Sequence, residues 1–342
     1  MRQKLKYFFI SVFMHKRLAL GGLMSVYASM MLFCTAMAQE CELGHTRSGT
    51  TYGKAGVERY AFIKHGPDGA LFLDPYFLPF IENVENQRIL DAGCGAAPWA
   101  IYAAMHGAFV DGIDIQESMI DKGKEAVIKA GLENQIILEI GSVTHLPYQD
   151  ASFDKAISIN VGCNLPSQNN ELGLHLTELA RVLKDKGRVI ITAPASFGIT
   201  FTSGRQELQE ILMDIEQALI KIDANNPSSI AKHLSSLNNI YRATFINDNG
   251  KLKLITNESE LINGQMIWRK LPGMIVPNYY HPEKEYINEA IQAGFNIVNI
   301  EKPKFNTEIE LAEYNENSSE ELKIGDAYVD HNAFIIIELE KI

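Results

Sequence analysis

The sequence predicts an alternating α/β fold, a parallel sheet with helices on both faces, and three observations carry that reading. Between Arg88 and Pro194, short apolar runs alternate with stretches of helical periodicity. The first run, Ile89-Leu90, ends in an acidic residue and a glycine turn, Asp91-Ala92-Gly93-Cys94-Gly95, ahead of a helical pattern. A second run ends in Asp114, nineteen residues beyond Gly95.

Each element follows in order. Arg88–Asp91 is expected as the first strand, with a helix over Trp99–His106. Phe109–Asp114 is the second strand, and Glu117–Ala130 a helix that Gly131 stops, because glycine adopts the left-handed conformation that closes a helix. Gln135–Ile140 and Phe153–Asn160 are the third and fourth strands. Asn170–Leu183 puts Leu172, Leu176, Leu179 and Leu183 on one helical face, and Arg188–Pro194 is the fifth strand. Ser203 and Gln206 then stand at capping-box spacing before Leu208, Ile211, Leu212, Ile215 and Leu219 at helical spacing. Asn247-Asp248-Asn249-Gly250 lies between Thr244–Ile246 and Lys251–Ile255 and reads as a hairpin. A short helix is expected from Pro282 to Gly294, with Tyr279 and Tyr280 in the loop entering it. Ile297–Ile300 and Ala333–Leu339 are the last strands, the latter without alternation, as in a strand buried on both faces.

Composition narrows the function classes. At 342 residues and 46% hydrophobic, the chain builds its core without staples. Its four cysteines, at 34, 41, 94 and 163, form no CxxC pair, which argues against a disulfide framework or a zinc site. Net charge −11 argues against a nucleic-acid partner, which needs a clustered cationic surface. The first 38 residues contain Arg2, Lys4, Lys6, Lys16 and Arg17 and no Asp or Glu, so the remainder carries 26 cations against 42 carboxylates. Leu18–Ala38 is uncharged, mostly apolar, and ends in Ala36-Met37-Ala38, a small-x-small pattern that signal peptidases accept. The leader is therefore read as an export signal or a membrane anchor, with contact to the membrane through this segment and the acidic globule sent across; translation from Met14 gives a leader of more ordinary length. The expected division is leader 1–38, an N-terminal helical segment 39–86, a cofactor-binding core 87–198, an insertion 199–280, and the rest of the core sheet 281–342.

The chemistry sits at strand ends. Gly93 and Gly95 let the backbone turn sharply and lie against a ligand with no Cβ between them. An acidic side chain at Asp114 can accept hydrogen bonds from both hydroxyls of a ribose. Further along stand Leu146-Pro-Tyr-Gln-Asp-Ala-Ser-Phe-Asp154 and Leu179-Ala-Arg-Val-Leu-Lys-Asp-Lys-Gly-Arg-Val189. With Ile89–Gly95 and Val110-Asp-Gly-Ile-Asp-Ile115, these four segments resemble the class I S-adenosylmethionine-dependent methyltransferases, particularly the small-molecule group that includes quinone-biosynthesis C-methyltransferases. The resemblance covers about residues 85–195.

It implies a Rossmann-like seven-stranded sheet with an antiparallel last strand and a cap insertion after the fifth. It implies S-adenosyl-L-methionine as cofactor and a small-molecule methyl acceptor. On this reading Asp91, Gly93 and Gly95 cradle the cofactor's amino-acid part, Asp114 holds the ribose, and Ile115 lies beside the adenine. Ser142 and Val143 meet the adenine edge, where the family usually has an acidic residue in place of Ser142; a serine accepts without a charge, so weaker binding is expected. Ala97 replaces a frequent third glycine, and Trp99 either packs in the core or covers the cofactor. Asn160 lies where the family faces the reactive methyl group, and Tyr52, in an N-terminal helix over Thr51–Tyr60, either bonds the cofactor carboxylate or packs. Cys94 and Cys163 read as buried thiols. For proton removal the candidates are His145, His175, His281, Tyr279 and Tyr280, with His281 first among them though equally readable as a helix-capping residue, Tyr280 beside it and His175 structural. Trp268, Arg269, Tyr279 and Tyr280 of the insertion suit an apolar or aromatic acceptor, with Arg269 available for an anionic group. Two other classes compete: a non-catalytic or repurposed binding protein on the same fold, and a nicotinamide oxidoreductase in which the Leu146–Asp154 and Arg181–Val189 motifs have no role.

Overall fold

A computed structural model describes residues 77–194, 200–201, 215–237, 240–255, 257–271, 274–302 and 334–342. The chain divides into two units, Met1–Glu40 and Cys41–Ile342, and everything described lies in the second. The leader, the segment with Tyr52, and Ser203–Gln206 lie outside the described residues. Among the described residues no helix is long and apolar enough to cross a membrane.

Residues 77–81 are helical and lead into β1 (Arg88–Ala92), α1 (Pro98–Met105), β2 (Phe109–Asp114), α2 (Glu117–Ala130) and β3 (Ile136–Ile140). Next come β4 (Phe153–Ile159), α3 (Glu171–Val182) and β5 (Leu183–Pro194). After the insertion, α5 (Glu283–Gln292), β11 (Phe295–Glu301) and β12 (Phe334–Lys341) return to the first sheet. Its order is β11-β12-β5-β4-β1-β2-β3. Strands β1 to β5 pair in parallel, and β12 runs antiparallel to both β5 and β11, as expected for the last of seven strands.

Alternate residues of each central strand enter different cores. Leu90, Ala156, Val189, Ile191, Ile335 and Ile337 face α3 and α5. Their neighbours Ile89, Ile157, Ile190 and Ile336 face α1, α2 and the 77–81 helix. Burial on both faces is why these strands read as unbroken apolar runs, β12 included. Trp99 stacks on Phe77 with ring centroids 4.9 Å apart against the second of these cores, which favours packing over covering. Gly131 closes α2 with φ +69°, its amide donating to the Ile128 carbonyl.

Two expectations change. β5 begins at Leu183, five residues early, because a bulge intervenes: Phe153 pairs with Leu183 and Lys155 already with Arg188, while Lys186 takes φ +63°. The insertion is richer in strands than its pattern suggested. It contains β6 (Thr200–Phe201), a helical stretch at 215–220, α4 (Pro227–Ser235), β7 (Ile240–Asp248), β8 (Lys251–Ile255), β9 (Met266–Leu271) and β10 (Met274–Tyr279). These strands form a second, antiparallel sheet of order β10-β9-β7-β6, with β8 on β7 as the expected hairpin. Tyr279 thus ends an edge strand instead of lying in a loop, and Pro277 is tolerated because β10 has a neighbour on one side only.

Candidate functional site

The strand order reverses beside β1, which has β2 on one side and β4 on the other. In open α/β sheets the ligand crevice lies at the carboxyl ends of strands at such a point. Here those ends carry Asp91, Asp114 and Asn160, three of the residues singled out from the sequence.

The turn after β1 is stitched to the end of β2. Gly93 and Cys94 amides donate to the Ile113 carbonyl at 2.7 and 3.0 Å, and the Gly95 amide donates to Asp114 Oδ2 at 2.9 Å. Gly93 has φ +76°, and a Cβ there would run into Val161 Cγ2. Gly95 has φ +54°, and no atom lies within 4 Å of where its Cβ would point. The first glycine is therefore required by the protein's own packing, whereas the second leaves open space beside the turn. Ala97, with φ +62°, takes the left-handed conformation that glycine adopts freely, at a cost of roughly 1 kcal/mol.

Asp114 Oδ1 accepts from the Gln116 amide at 2.9 Å, so both carboxylate oxygens hold a backbone donor. A carboxylate has about four acceptor positions, the chemistry that the two hydroxyls of a diol can use. Ile115 beside it is exposed and offers an apolar surface. The Gly141 amide bonds the Asp114 carbonyl at 3.0 Å and draws the next loop to the same place. In that loop Ser142 Oγ is 2.8 Å from Thr144 Oγ1 and accepts from the Thr144 amide at 3.2 Å, so its hydroxyl is engaged within its own turn. Val143 is buried in the core with Leu90 and Ile113.

At the end of β4, Asn160 sits at φ +54°, its amide on Thr192 Oγ1 at 2.9 Å and its side-chain oxygen accepting from that hydroxyl at 3.2 Å. Asn164 Nδ2 donates to the Asn160 carbonyl at 2.9 Å, and Asn278 of β10 donates to Asn164 Oδ1 at 2.8 Å. The insertion sheet thus holds the β4 end by hydrogen bonds that sequence inspection missed; nothing in the pattern links positions 114 residues apart.

The groups expected to move a proton are placed very differently. His145 is exposed, and His175 is buried in the core beneath the site. Tyr280 is buried, and its hydroxyl donates to Glu258 Oε1 at 2.8 Å; burial first, then that carboxylate, raise its pKa, which makes it a proton donor and no base. His281 is buried, with Nε2 2.8 Å from the Leu165 carbonyl; a carbonyl only accepts, so Nε2 carries the proton. Its Nδ1 has no hydrogen-bond partner among the described residues, and burial holds the imidazole pKa below its ordinary value. It lines a pocket with Cys163, Arg269, Asn278 and Tyr279 whose free interior is about 10 Å³, room for roughly one water. Trp268 points elsewhere: it belongs to the insertion's own core with Phe245 and Leu234, which corrects the expectation that it meets an acceptor. Cys94 and Cys163 are buried thiols outside any disulfide, as expected. Among the described residues no group of His, Cys, Asp and Glu could hold a metal ion.

The ends of β1 and β2 therefore bring together an acidic acceptor for a diol, an open glycine turn and an exposed apolar side chain, a set of groups that suits a nucleoside. Residues 89–187 match the sequence model of a methyltransferase domain. Methyltransferase GfsG of Streptomyces halstedii is 32% identical over 107 residues, 31% of this chain and 37% of that protein. A 24-methylenesterol C-methyltransferase of rice (Oryza sativa subsp. japonica) is 38% identical over 103 residues, 30% of this chain and 27% of that one. The chain spans about a third of the length of these curated relatives. An S-adenosylmethionine dependent methyltransferase from Mesorhizobium loti superposes with TM-score 0.49 at 18% identity, covering 81% of this chain and 100% of that one. The sequence match and the strand order agree in likening the segment from 89 to 187 to a methyltransferase domain.

Proposed function

We propose that the whole chain is a working methyltransferase that uses S-adenosyl-L-methionine to methylate a small, largely apolar molecule. The observation that carries this is the convergence of Asp114, the open turn at Gly95 and the Gly141–Val143 loop at the switch point of the sheet. Bound there, the cofactor supplies an electrophilic methyl group on a sulfonium. Asp114 fixes the ribose, the Asp91–Gly95 turn accommodates the amino-acid part, and Asn160 faces the reacting end, with Tyr52 assigned to the carboxylate from its motif alone. Alignment of acceptor and methyl group supplies much of the acceleration of such a displacement. His281 is the base of this reading, acting on an acceptor hydroxyl that takes the place of about one water; Tyr280 holds Glu258 and the insertion instead. The acidic surface supports a small acceptor over a nucleic acid.

Calorimetry with S-adenosylmethionine and its demethylated product tests the cofactor, and transfer of labelled methyl to a metabolite extract tests the activity. Failure of the chain to bind either nucleoside removes the proposal. A second reading, a binding protein that has lost catalysis, draws on Ser142, whose hydroxyl is engaged by Thr144 where the family has a charge. Binding without transfer to any component of the extract favours it. The leader is assigned to export or anchorage of the globule on the strength of its cations and the Leu18–Ala38 run. Cell fractionation with N-terminal sequencing checks that assignment, and intact protein in the cytoplasm refutes it.

A further inference from the structure

His175 lies on α3 between Leu172, Leu176 and Leu179, where the helical pattern calls for another aliphatic side chain. Instead an imidazole is completely enclosed. Its Nδ1 is 3.3 Å from the Val143 carbonyl, and its Nε2 is 2.8 Å from Ser158 Oγ on β4. Because a carbonyl only accepts, Nδ1 carries the proton, and Nε2 accepts from the Ser158 hydroxyl. Burial lowers its pKa to about 4, so the ring is neutral at physiological pH and this tautomer persists. Burying a polar ring where leucine would pack is costly unless both nitrogens are used, and both are.

The two segments it joins matter. Val143 belongs to the loop assigned to the adenine, and Ser158 lies two residues before Asn160, assigned to the reacting end. We infer that His175 is a positioning residue for the cofactor: its Nδ1–H holds the Val143 peptide, and so the Gly141–Val143 loop, at the distance from β4 that the adenine requires. It touches no ligand itself. The inference rests on the methyltransferase reading of the crevice.

The test uses the full chain, S-adenosylhomocysteine as probe, calorimetry for affinity and melting for stability. Asparagine can replace the Nδ1 donor and glutamine the Nε2 position. His175→Asn is expected to bind within about threefold of the parent, whereas His175→Gln and His175→Leu lose about tenfold or more. Nitrogen NMR of the parent is expected to show His175 protonated at Nδ1 and bare at Nε2. Affinity unchanged in both the Gln and the Leu variants, whatever their melting temperatures, overturns the inference, as does an Nε2–H tautomer. Should leucine prevent folding, the Asn and Gln pair decides, and equal losses in both count against it. A parent chain that binds no S-adenosylhomocysteine refutes the underlying reading before any variant is compared, so the two failures are distinguishable.

Discussion

Asp114 holds the Gly95 and Gln116 amides at once, so its carboxylate ties the β1 turn to the end of β2. Hydrogen bonds to a charged group contribute about 1.5–3 kcal/mol each, so Asp114→Ala is expected to weaken S-adenosylhomocysteine binding ten- to a hundredfold by calorimetry. The two glycines of the turn separate stability from binding. Gly93→Ala incurs the left-handed penalty of about 1–2 kcal/mol and also collides with Val161, so its melting temperature falls by several degrees. Gly95→Ala incurs only the backbone penalty, since nothing lies near the added methyl. It melts closer to the parent yet loses affinity, because the methyl occupies the space beside the turn. Equal melting losses with no affinity difference would count against the open turn as a ligand cradle.

At the scale of elements, α3 organises the loop between β3 and β4. Arg181 donates to the Leu146 and Tyr148 carbonyls, at 3.0 and 2.7 Å, and pairs with Glu178 and Asp150. Glu178 in turn accepts from the Leu146 amide at 2.7 Å. Arg181→Met is expected to cost about 2 kcal/mol in denaturant unfolding, through the loop carbonyls it strands more than through the partly exposed ion pairs. The hydrogen bond from Arg181 holds the Glu178 carboxyl below its ordinary value. A depressed acid stabilises the fold above its unfolded pKa of about 4.3 and loses that contribution as pH falls through the folded value. His175 follows the same sign from a higher start: its contribution is complete above about pH 6.5 and is lost as pH falls toward its folded value of about 4. Stability measured from pH 7 to 4 should therefore decline in the parent and flatten in His175→Asn; an equal decline in both would exclude the imidazole as its source. Strong periodicity made α2 and α3 legible to within a residue at each end. β10 stayed hidden, because Pro277 reads as a loop until an edge position removes the need for its amide.

For the whole molecule, two sheets with separate cores are joined at the carboxyl end of β4 by Asn278 and Asn164. A ligand that binds only the native state stabilises it by about 2.7 kcal/mol at a hundredfold excess over Kd. S-adenosylhomocysteine should raise the melting temperature accordingly and NAD should leave it unchanged, a thermal-shift result that separates the two nucleotide-type readings. A shift with NAD alone would reverse the assignment.

By itself the sequence determined the parallel sheet, the glycine turn, the place of Asp114 and the likeness of the 89–187 segment to a methyltransferase domain. These are local: apolar runs reflect burial on both faces, and a backbone that must turn against a ligand needs glycine at fixed spacing. Tertiary structure decided the rest. It buried Trp268 in the insertion's core, bound Tyr280 to Glu258, set His281 against a water-sized pocket, and gave His175 one partner on β4 and another in the loop after β3. Those roles depend on which groups meet across long loops, and hydrogen bonds between residues far apart in the chain leave no periodic trace in it.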